Sequence, residues 1–528
     1  MIRIRDIKLP FDHKKDALAG KIMERLHISR QELLNFTVVR KSIDARRKTN
    51  ILAVYIVDVE VKNETELLAG FSNDITVSRG PSMIYRMPAA CQKKGPRPVI
   101  VGSGPCGLFA ALILAQLGAK PVLIERGKDV TSRIKDVRNF WRNGELDRES
   151  NVQFGEGGAG TFSDGKLATQ IKDKNNRSRK VLTELVKAGA PEDILYLARP
   201  HIGTDNLVRI VKNLRNTIIS AGGQVRFKTR LTGIKVRSNK VTCAIVNDCE
   251  DIETDTIVLA LGHSARDTFE MLERLDIPME AKPFSIGVRI EHPQNVINKA
   301  QYGRFASHRL LGSAEYKLVH HCANGRSAYT FCMCPGGKVI AASYEPGTVV
   351  TNGMSFYSRN HPNANSALLV GVNEQDFGGP NPLSGITFQR KWEQKAFEAG
   401  GNNYFAPVQL VGDFLAGRPS NSLGRVRPSY SPGTTPGDLA ECLPEFVVRT
   451  LLLAIPQMDK QLKGFSMNDA VMTAVESRSS SPIRIVRDET FQSPAVKGLY
   501  PAGEGAGYAG GIISAAVDGI KIAEAICL

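Results

Sequence analysis

No stretch of this 528-residue chain approaches about 18 uninterrupted apolar residues, so no transmembrane helix is expected. The opening MIRIRDIKLP lacks the apolar core of a signal peptide. The nine cysteines form no CxxC pair and no framework spacing, which argues against a secreted disulfide scaffold and for a reduced, cytoplasmic setting. No histidine pair has metal-ligand spacing on an identifiable element, so no metal is expected. Acidic charge is also in short supply, with 53 Asp and Glu against 69 Lys and Arg. The imbalance is concentrated: residues 1–98 hold 19 Lys/Arg and 11 Asp/Glu. Such a patch suits nucleic acid, an anionic surface or a phosphate-rich ligand, or is simply a solvated basic face.

What the chain does have is length and clustered glycine. At 528 residues two or three domains are expected. Residues 1–95 read as a small basic α/β unit. It has a strand at Ile2–Ile7, a helix at Lys14–Leu26, and paired strands at Phe36–Ile43 and Ile51–Val61. The polar, Pro/Gly-bearing stretch Cys91–Pro98 reads as a linker. From Thr204, placed at an N-cap, an apolar stripe predicts a helix to Ala221, stopped by Gly222 and Gly223. Gln224–Lys228 and two further strands then lead to the apolar run Thr256–Gly262. From 283 to 463 strand-like runs mix with long polar loops, as in an inserted mixed α+β substrate domain. The last segment returns to strand, glycine loop and helix.

The chemistry-bearing signal is the apolar strand Val99–Val101 running into Gly102-Ser-Gly104-Pro-Cys-Gly107 and an apolar helix from Pro105. A second strand ends at Glu125-Arg126, about 20 residues on. This spacing is that of a dinucleotide site. Gly102 permits the tight turn, Gly104 lets the backbone approach a pyrophosphate, and Gly107 packs the helix against the strand. The pyrophosphate sits on the helix N-terminus, opened by Pro105 and Cys106, and the acidic residue takes a ribose hydroxyl. Some 400 residues later a strand delivers Gly503-Glu504, and Gly510-Gly511-Ile512 opens another helix. Between them lie Leu259-Ala260-Leu-Gly262 and a loop with five glycines in the twelve residues Phe154–Gly165.

The closing segment resembles that of glutathione-reductase-type flavoproteins, and Ala260–Gly262 is similar to a smaller motif of the same group. The resemblance implies FAD. It places the acidic residue, here Glu504 rather than the usual Asp, at the ribityl or phosphate region, and the helix start at the flavin pyrimidine. Including the basic N-terminal unit and Glu476–Arg484, nearly the whole chain resembles the bacterial predicted NAD(FAD)-utilising dehydrogenases. The expected fold class is therefore α/β: a Rossmann-type FAD-binding domain (96–282 and 464–528), an inserted substrate or cap domain (283–463) and the small N-terminal domain (1–95). Expected FAD contacts are Gly102, Gly104, Pro105, Cys106, Gly107, Glu125 and Arg126; Gly157, Gly158, Thr161 and Ser163 of the glycine-rich loop; Ala260 and Gly262; and Gly503, Glu504, Gly510, Gly511 and Ile512.

Candidates for reaction chemistry are Ser163, Asp164 and Lys166 beside the flavin, the pair Cys332 and Cys334, and Arg478. Alternate strand residues point to one side, so both thiols can share a face. The two-residue spacing strains a disulfide, and a redox disulfide between them is not expected. Arg478 and Arg484 could clamp an anionic substrate. His201, His263, His320 and His321 are further proton-donor candidates. A second GxGxxG is absent, so NAD(P)H is expected at most as a transient reductant. The expected activity is that of an FAD-dependent oxidoreductase with an unidentified small-molecule or protein electron partner. The alternatives are an RNA-modifying flavoprotein, suggested by the basic N-terminal unit, and a flavin-binding redox scaffold that turns over slowly. No membrane partner is expected.

Overall fold

The computed structural model describes residues 1–91 and 95–528. Residues 92–94 of the expected linker lie outside the described residues. No helix among them is long and apolar enough to cross a membrane.

Three short apolar strands set the frame of the nucleotide unit. Val99–Val101, Val122–Ile124 and Ile257–Leu259 are buried at every position, as central parallel strands covered on both faces must be. Leu499–Pro501 and Gln224–Arg226 complete a five-stranded parallel sheet. Its order is 499–501, 257–259, 99–101, 122–124, 224–226. The strands carrying Gly102, Gly262 and Gly503 at their C-terminal ends are thus immediate neighbours, although 400 residues separate the first from the last. The helix Pro105–Gln116 is apolar almost all round and buried over Cys106–Ala115, which fits a helix covered on every side. The closing helix Ile512–Cys527 lies on it so closely that a Cβ on Gly519 would come within 2.2 Å of Cys106 O.

The helix expected from Thr204 forms over Thr204–Ser220, with its apolar stripe buried as read. Gly203, not Thr204, is its N-cap; Thr204 Oγ1 instead donates to Thr161 O at 2.7 Å. Three strands, not two, follow the sheet's edge. Leu231–Arg237, Lys240–Val246 and Glu250–Glu253 form a separate antiparallel sheet. The third is Glu-Asp-Ile-Glu, a composition with little strand preference of its own, held by pairing with Cys243–Val246.

The region from 283 builds a seven-stranded sheet around Phe284–Pro293 and Asn363–Val372, both almost wholly buried. One of its inner strands is Val471–Glu476, paired with Phe284–Pro293 and with Ala406–Leu410. This sheet therefore runs past the expected boundary at 463. Val471–Glu476 is apolar enough for either core, and only its pairing decides which sheet it joins.

The N-terminal unit is a four-stranded antiparallel sheet in the order Leu33–Asp44, Leu52–Val61, Ile2–Pro10, Val77–Arg79. It has its own apolar core under the helix Ala17–Leu26, whose Leu18, Ile22 and Leu26 are buried. The unit is also fastened to the rest of the chain. Lys41 N donates to Tyr196 O at 2.7 Å and Ala198 N donates to Lys41 O at 2.9 Å. Phe11 packs edge-on against Phe305, ring centroids 5.3 Å apart.

Candidate functional site

A cavity of about 360 Å³ opens across the C-terminal ends of the parallel strands, a size usual for small-molecule sites. This is where open α/β sheets bind ligands. One end is walled by Glu125, Arg126 and Arg230, the middle by Gly102–Cys106, and the far end by Arg289, Cys332 and Glu476 of the second sheet.

Two helices start at this cavity. Gly104 caps Pro105–Gln116 and Gly511 caps Ile512–Cys527, and neither end has a side-chain cap. Their first N–H groups lack intrahelical partners and favour an anionic ligand. The glycines fall into two groups with different reasons. A Cβ on Gly102 would approach Ala260 O to 2.3 Å, and one on Gly107 would approach Gly102 O to 1.8 Å. Those two serve the chain's own packing. A Cβ on Gly104 meets nothing nearer than 3.9 Å, and around Gly510 and Gly511 nothing lies within 4 Å. All three line the cavity. Their missing side chains leave room that the protein does not fill. A ligand with a pyrophosphate at the first helix, extending to the start of the second, fits this cradle, and FAD has that shape.

The glycine-rich loop forms the facing wall. Gly158 sits against Gly104, and a Cβ on Gly160 would touch Ile512 Cγ1 at 3.6 Å. Beneath, Arg133 is fully buried and donates to the carbonyls of Asn151, Val152, Gly155, Glu156 and Gly158. One planar guanidinium thus shapes the loop from the helix Val130–Asn143. Nothing in the local sequence marks Arg133 for this role.

Several expected contacts are already engaged by the protein or lie behind the cavity wall. Glu125 is 5% exposed, and its carboxylate already accepts four hydrogen bonds. Ser103 N and Oγ bond Oε2 at 2.9 and 2.8 Å, while Gly127 N and Gly155 N bond Oε1, both at 2.9 Å. Four donors saturate a carboxylate, so a ribose hydroxyl gains access only by displacing the Ser103 hydroxyl. Arg126 is held by Glu149 and Asp267 at 2.8 Å each and lies over the Phe154 ring. Gly157, Thr161 and Gly503 lie behind the cavity wall. Gly157 N donates to Ser103 O, Thr161 Oγ1 to Glu156 O and Gly503 N to Asp518 Oδ2. They shape the wall and do not form it.

The catalytic candidates divide in the same way. Ser163, Asp164, Lys166, Cys332 and Arg478 line the cavity, whereas Cys334 is fully buried behind it. Asp164 is no free acid. Burial would raise its affinity for a proton, but Lys166 and Arg359 outweigh burial and hold it well below the usual carboxylate range. Lys166 Nζ lies 2.7 Å from Asp164 Oδ2 and also donates to Met333 O. Nor is Arg478 an open anion clamp. Its Nε and Nη2 bind Glu393 at 3.0 and 2.8 Å, its Nη1 binds Ser264 Oγ, and it covers the Tyr344 ring. His263 is pushed down to about 4 by burial and by Arg478 and Arg266, so it stands neutral at the wall. His201 bonds Tyr357 O and stacks on its ring, while His320 and His321 belong to an edge strand of the second sheet.

Glu504 differs from all of these. It lines the cavity, and its carboxyl has no hydrogen-bond partner among the described residues. Burial pushes it up to about 7, with Lys282 pulling down and Cys332 pushing up. Its folded value lies above the ordinary 4.5, so the proton is bound more tightly in the fold. Below pH 4.5 both folded and unfolded forms are protonated and burial of the acid costs nothing extra. As pH rises through 7 that stability is lost, by up to about 3 kcal/mol at 1.36 kcal/mol per pH unit. Glu504→Gln does not titrate. Its stability relative to the parent is therefore expected to climb between pH 4.5 and 7 and level off above. Urea denaturation from pH 4 to 8 measures this, and a flat difference would refute the buried-acid assignment.

Comparison with known proteins now bears on the cavity. Residues 97–137, which build the Gly102–Gly107 turn and Glu125, match an FAD binding domain. Residues 283–479 match the family described as FAD-dependent protein, C-terminal domain-like, and residues 1–60 match a domain of unknown function. Solved structures with a similar chain path include glycine oxidase from Bacillus cereus, at 11% identity and TM-score 0.31, covering 82% of this chain and 95% of that one. L-proline dehydrogenase from P. horikoshii is similar at 10% identity and TM-score 0.32, over 82% and 93%. CtdE in complex with FAD is similar at 12% identity and TM-score 0.32, over 82% and 85%. An uncharacterized protein of Clostridium beijerinckii is 48% identical over 526 residues, 99% of this chain and 98% of that one. The chain belongs with that protein to one family, a family of FAD-dependent proteins.

Proposed function

We propose that this protein is an FAD-dependent oxidoreductase of the glutathione-reductase type, a dehydrogenase whose substrate meets the flavin at the Cys332 end of the cavity. The observation that carries the reading is the continuity of one cavity. It runs from the Glu125 strand end, past two uncapped helix N-termini, to a wall supplied by the second sheet. The flavin, when bound, supplies the two-electron chemistry. Gly104, Gly510 and Gly511 give it room, and the first helix start meets its pyrophosphate. The reading puts the ring between the Gly158–Lys166 loop and Ile512, with Phe331 and Cys332 covering its open side. Most charges at this end are matched in pairs: Lys166 with Asp164, Arg289 with Glu476, Arg478 with Glu393. That leaves Glu504 as the acid able to exchange a proton near neutral pH, the range in which acid–base catalysis works best.

The test is anaerobic reduction of the purified yellow protein by NADH and by NADPH, followed by a screen of metabolites for reoxidation. Protein that neither carries FAD nor takes it up would end this reading. Lys166→Met removes a half-buried cation beside the proposed ring position while sparing the glycine cradle. FAD is expected to stay bound. The flavin potential is expected to fall by on the order of 30 mV, equivalent to about 1.4 kcal/mol for a two-electron couple. Spectroelectrochemistry reads it directly, and an unchanged potential would move the ring away from Lys166.

A further inference from the structure

The strand Ser327–Cys334 loses its register with Asn363–Val372 between Phe331 and Cys334. At this bulge Cys332 takes a φ of 42°, in the left-handed region that side chains rarely enter. Bulges of this kind re-aim a side chain. Here both bulge carbonyls are held by cations from other elements. Arg289 Nη1 donates to Cys332 O at 3.0 Å, and Lys166 Nζ donates to Met333 O. Cys332 is thereby presented at the cavity wall, partly exposed. Cys334 is fully buried behind it, with Sγ folded back to 3.3 Å from Cys332 O.

The surroundings act oppositely on the two thiols. The adjacent Cys334 thiol, with Lys166 and Arg289, holds Cys332 well below the usual thiol range, against burial and Asp164. Cys334 is pushed well above it by the neighbouring Cys332 and by burial. The remaining charged neighbours are Glu476, paired to Arg289, and Glu504. A low-affinity thiol that is open to a cavity and backed by a second thiol is the arrangement that peroxides oxidise selectively. The spacing objection to a disulfide assumes an extended strand, in which alternate Cα atoms stand about 6.6 Å apart, near the limit of the bond. Here the register with Asn363–Val372 is broken across these residues and Cys334 Sγ turns back to 3.3 Å from Cys332 O, so the strand is not regular at this pair.

We propose that Cys332 is a peroxide-reactive thiolate and that Cys334 resolves it into a disulfide. In the first step Cys332 Sγ attacks one peroxide oxygen. The O–O bond breaks, an S–O bond forms, and hydroxide leaves and is protonated by solvent. In the second, Cys334 Sγ attacks the Cys332 sulfur. The S–O bond breaks, an S–S bond forms, and water leaves with the Cys334 proton. The pair gives up two electrons and one peroxide becomes two waters. The source of peroxide rests on the proposed function, since a flavin bound here would, once reduced, yield peroxide on meeting dioxygen. The reactivity of the thiols does not rest on it.

The experiment therefore adds hydrogen peroxide directly to the full-length protein as purified, with its flavin, at pH 6. Free thiols are then alkylated and peptides are weighed. The Cys332–Cys334 peptide is expected to lose two hydrogens, to regain them with dithiothreitol, and to react about tenfold or more faster than exposed Cys249. In Cys334→Ala the reaction stops at a sulfenic acid on Cys332 that dimedone traps, and Cys332→Ala gives neither product. Retained FAD and an unchanged unfolding temperature establish that each variant is folded. Should Cys334→Ala not fold, the mass loss and the rate ratio in the parent protein decide alone. Equal rates at Cys332 and Cys249 would overturn the proposal, as would parent protein that accumulates trapped sulfenic acid without the disulfide.

Discussion

Gly104→Val is expected to give a folded protein that carries no FAD. Gly104 has φ −70° and ψ −179°, an extended conformation open to any L-residue, and its Cβ position is clear to 3.9 Å. Valine at this position therefore costs the protein itself little. What it obstructs is the space over the helix N-terminus, where the pyrophosphate must come within hydrogen-bond reach of backbone N–H groups. Gly107→Val is the contrasting case. Its Cβ would lie 1.8 Å from Gly102 O, so the helix could not pack against its strand and the domain is expected not to fold. Flavin absorbance per chain and circular dichroism separate the two outcomes. A folded Gly104→Val protein that stays fully yellow would remove the pyrophosphate from this turn.

Glu393→Gln is expected to destabilise the protein by about 3–5 kcal/mol, the usual loss when one member of a buried ion network is neutralised. Glu393 is fully buried on the helix Ser384–Ala399. It binds Arg266 at 2.9 and 3.0 Å, Arg478 at 2.8 and 3.0 Å, and the Ser477 hydroxyl at 2.6 Å. Burial opposes its charge, but the two guanidiniums hold it far below the usual carboxylate range. Glutamine keeps the shape and some hydrogen bonds while leaving Arg478 with no carboxylate nearer than Glu345, 3.9 Å away. Arg266 follows the nucleotide strand Ile257–Leu259, and Glu393 belongs to the region that covers it. The loss is therefore expected to loosen that cover as well as lower the urea midpoint. A change under about 1 kcal/mol would show that the network contributes little net stability.

The parts that were legible in the sequence are those whose physical demand is local. The turn at Gly102–Gly107 needs its glycines within six residues of one another, and the buried parallel strands need short apolar runs. Both requirements are written in consecutive positions. The ion pairs are not. Asp164 is captured by Arg359, 195 residues away, and Glu393 by Arg266 at 127. Neither pairing leaves a periodic trace, so Asp164 and Arg478 read as available groups when both are already neutralised. Glu125 shows a third case. Its residue type and position follow from the dinucleotide spacing, but its saturation by Ser103, Gly127 and Gly155 depends on where a distant loop comes to lie. The bulge at Cys332 was hidden for a related reason, since an apolar Cys-Met-Cys run gives no sign of the register break that turns one thiol toward the cavity.

The strand order 499–501, 257–259, 99–101 also governs when a newly made chain can take up its cofactor. Gly102 and Gly262 leave the ribosome early. Leu499–Pro501 and the helix Ile512–Cys527, whose start lines the cavity, emerge much later. At translation speeds of about 5–20 residues per second, the 237 residues from His263 through Leu499 correspond to roughly 10–50 s. Through that interval the first helix lacks the partner that buries its outer face, and the nascent domain has only half of a flavin site. Cofactor capture is thus expected to wait for Leu499–Cys527, and a chain cut before Leu499 is expected to lack it.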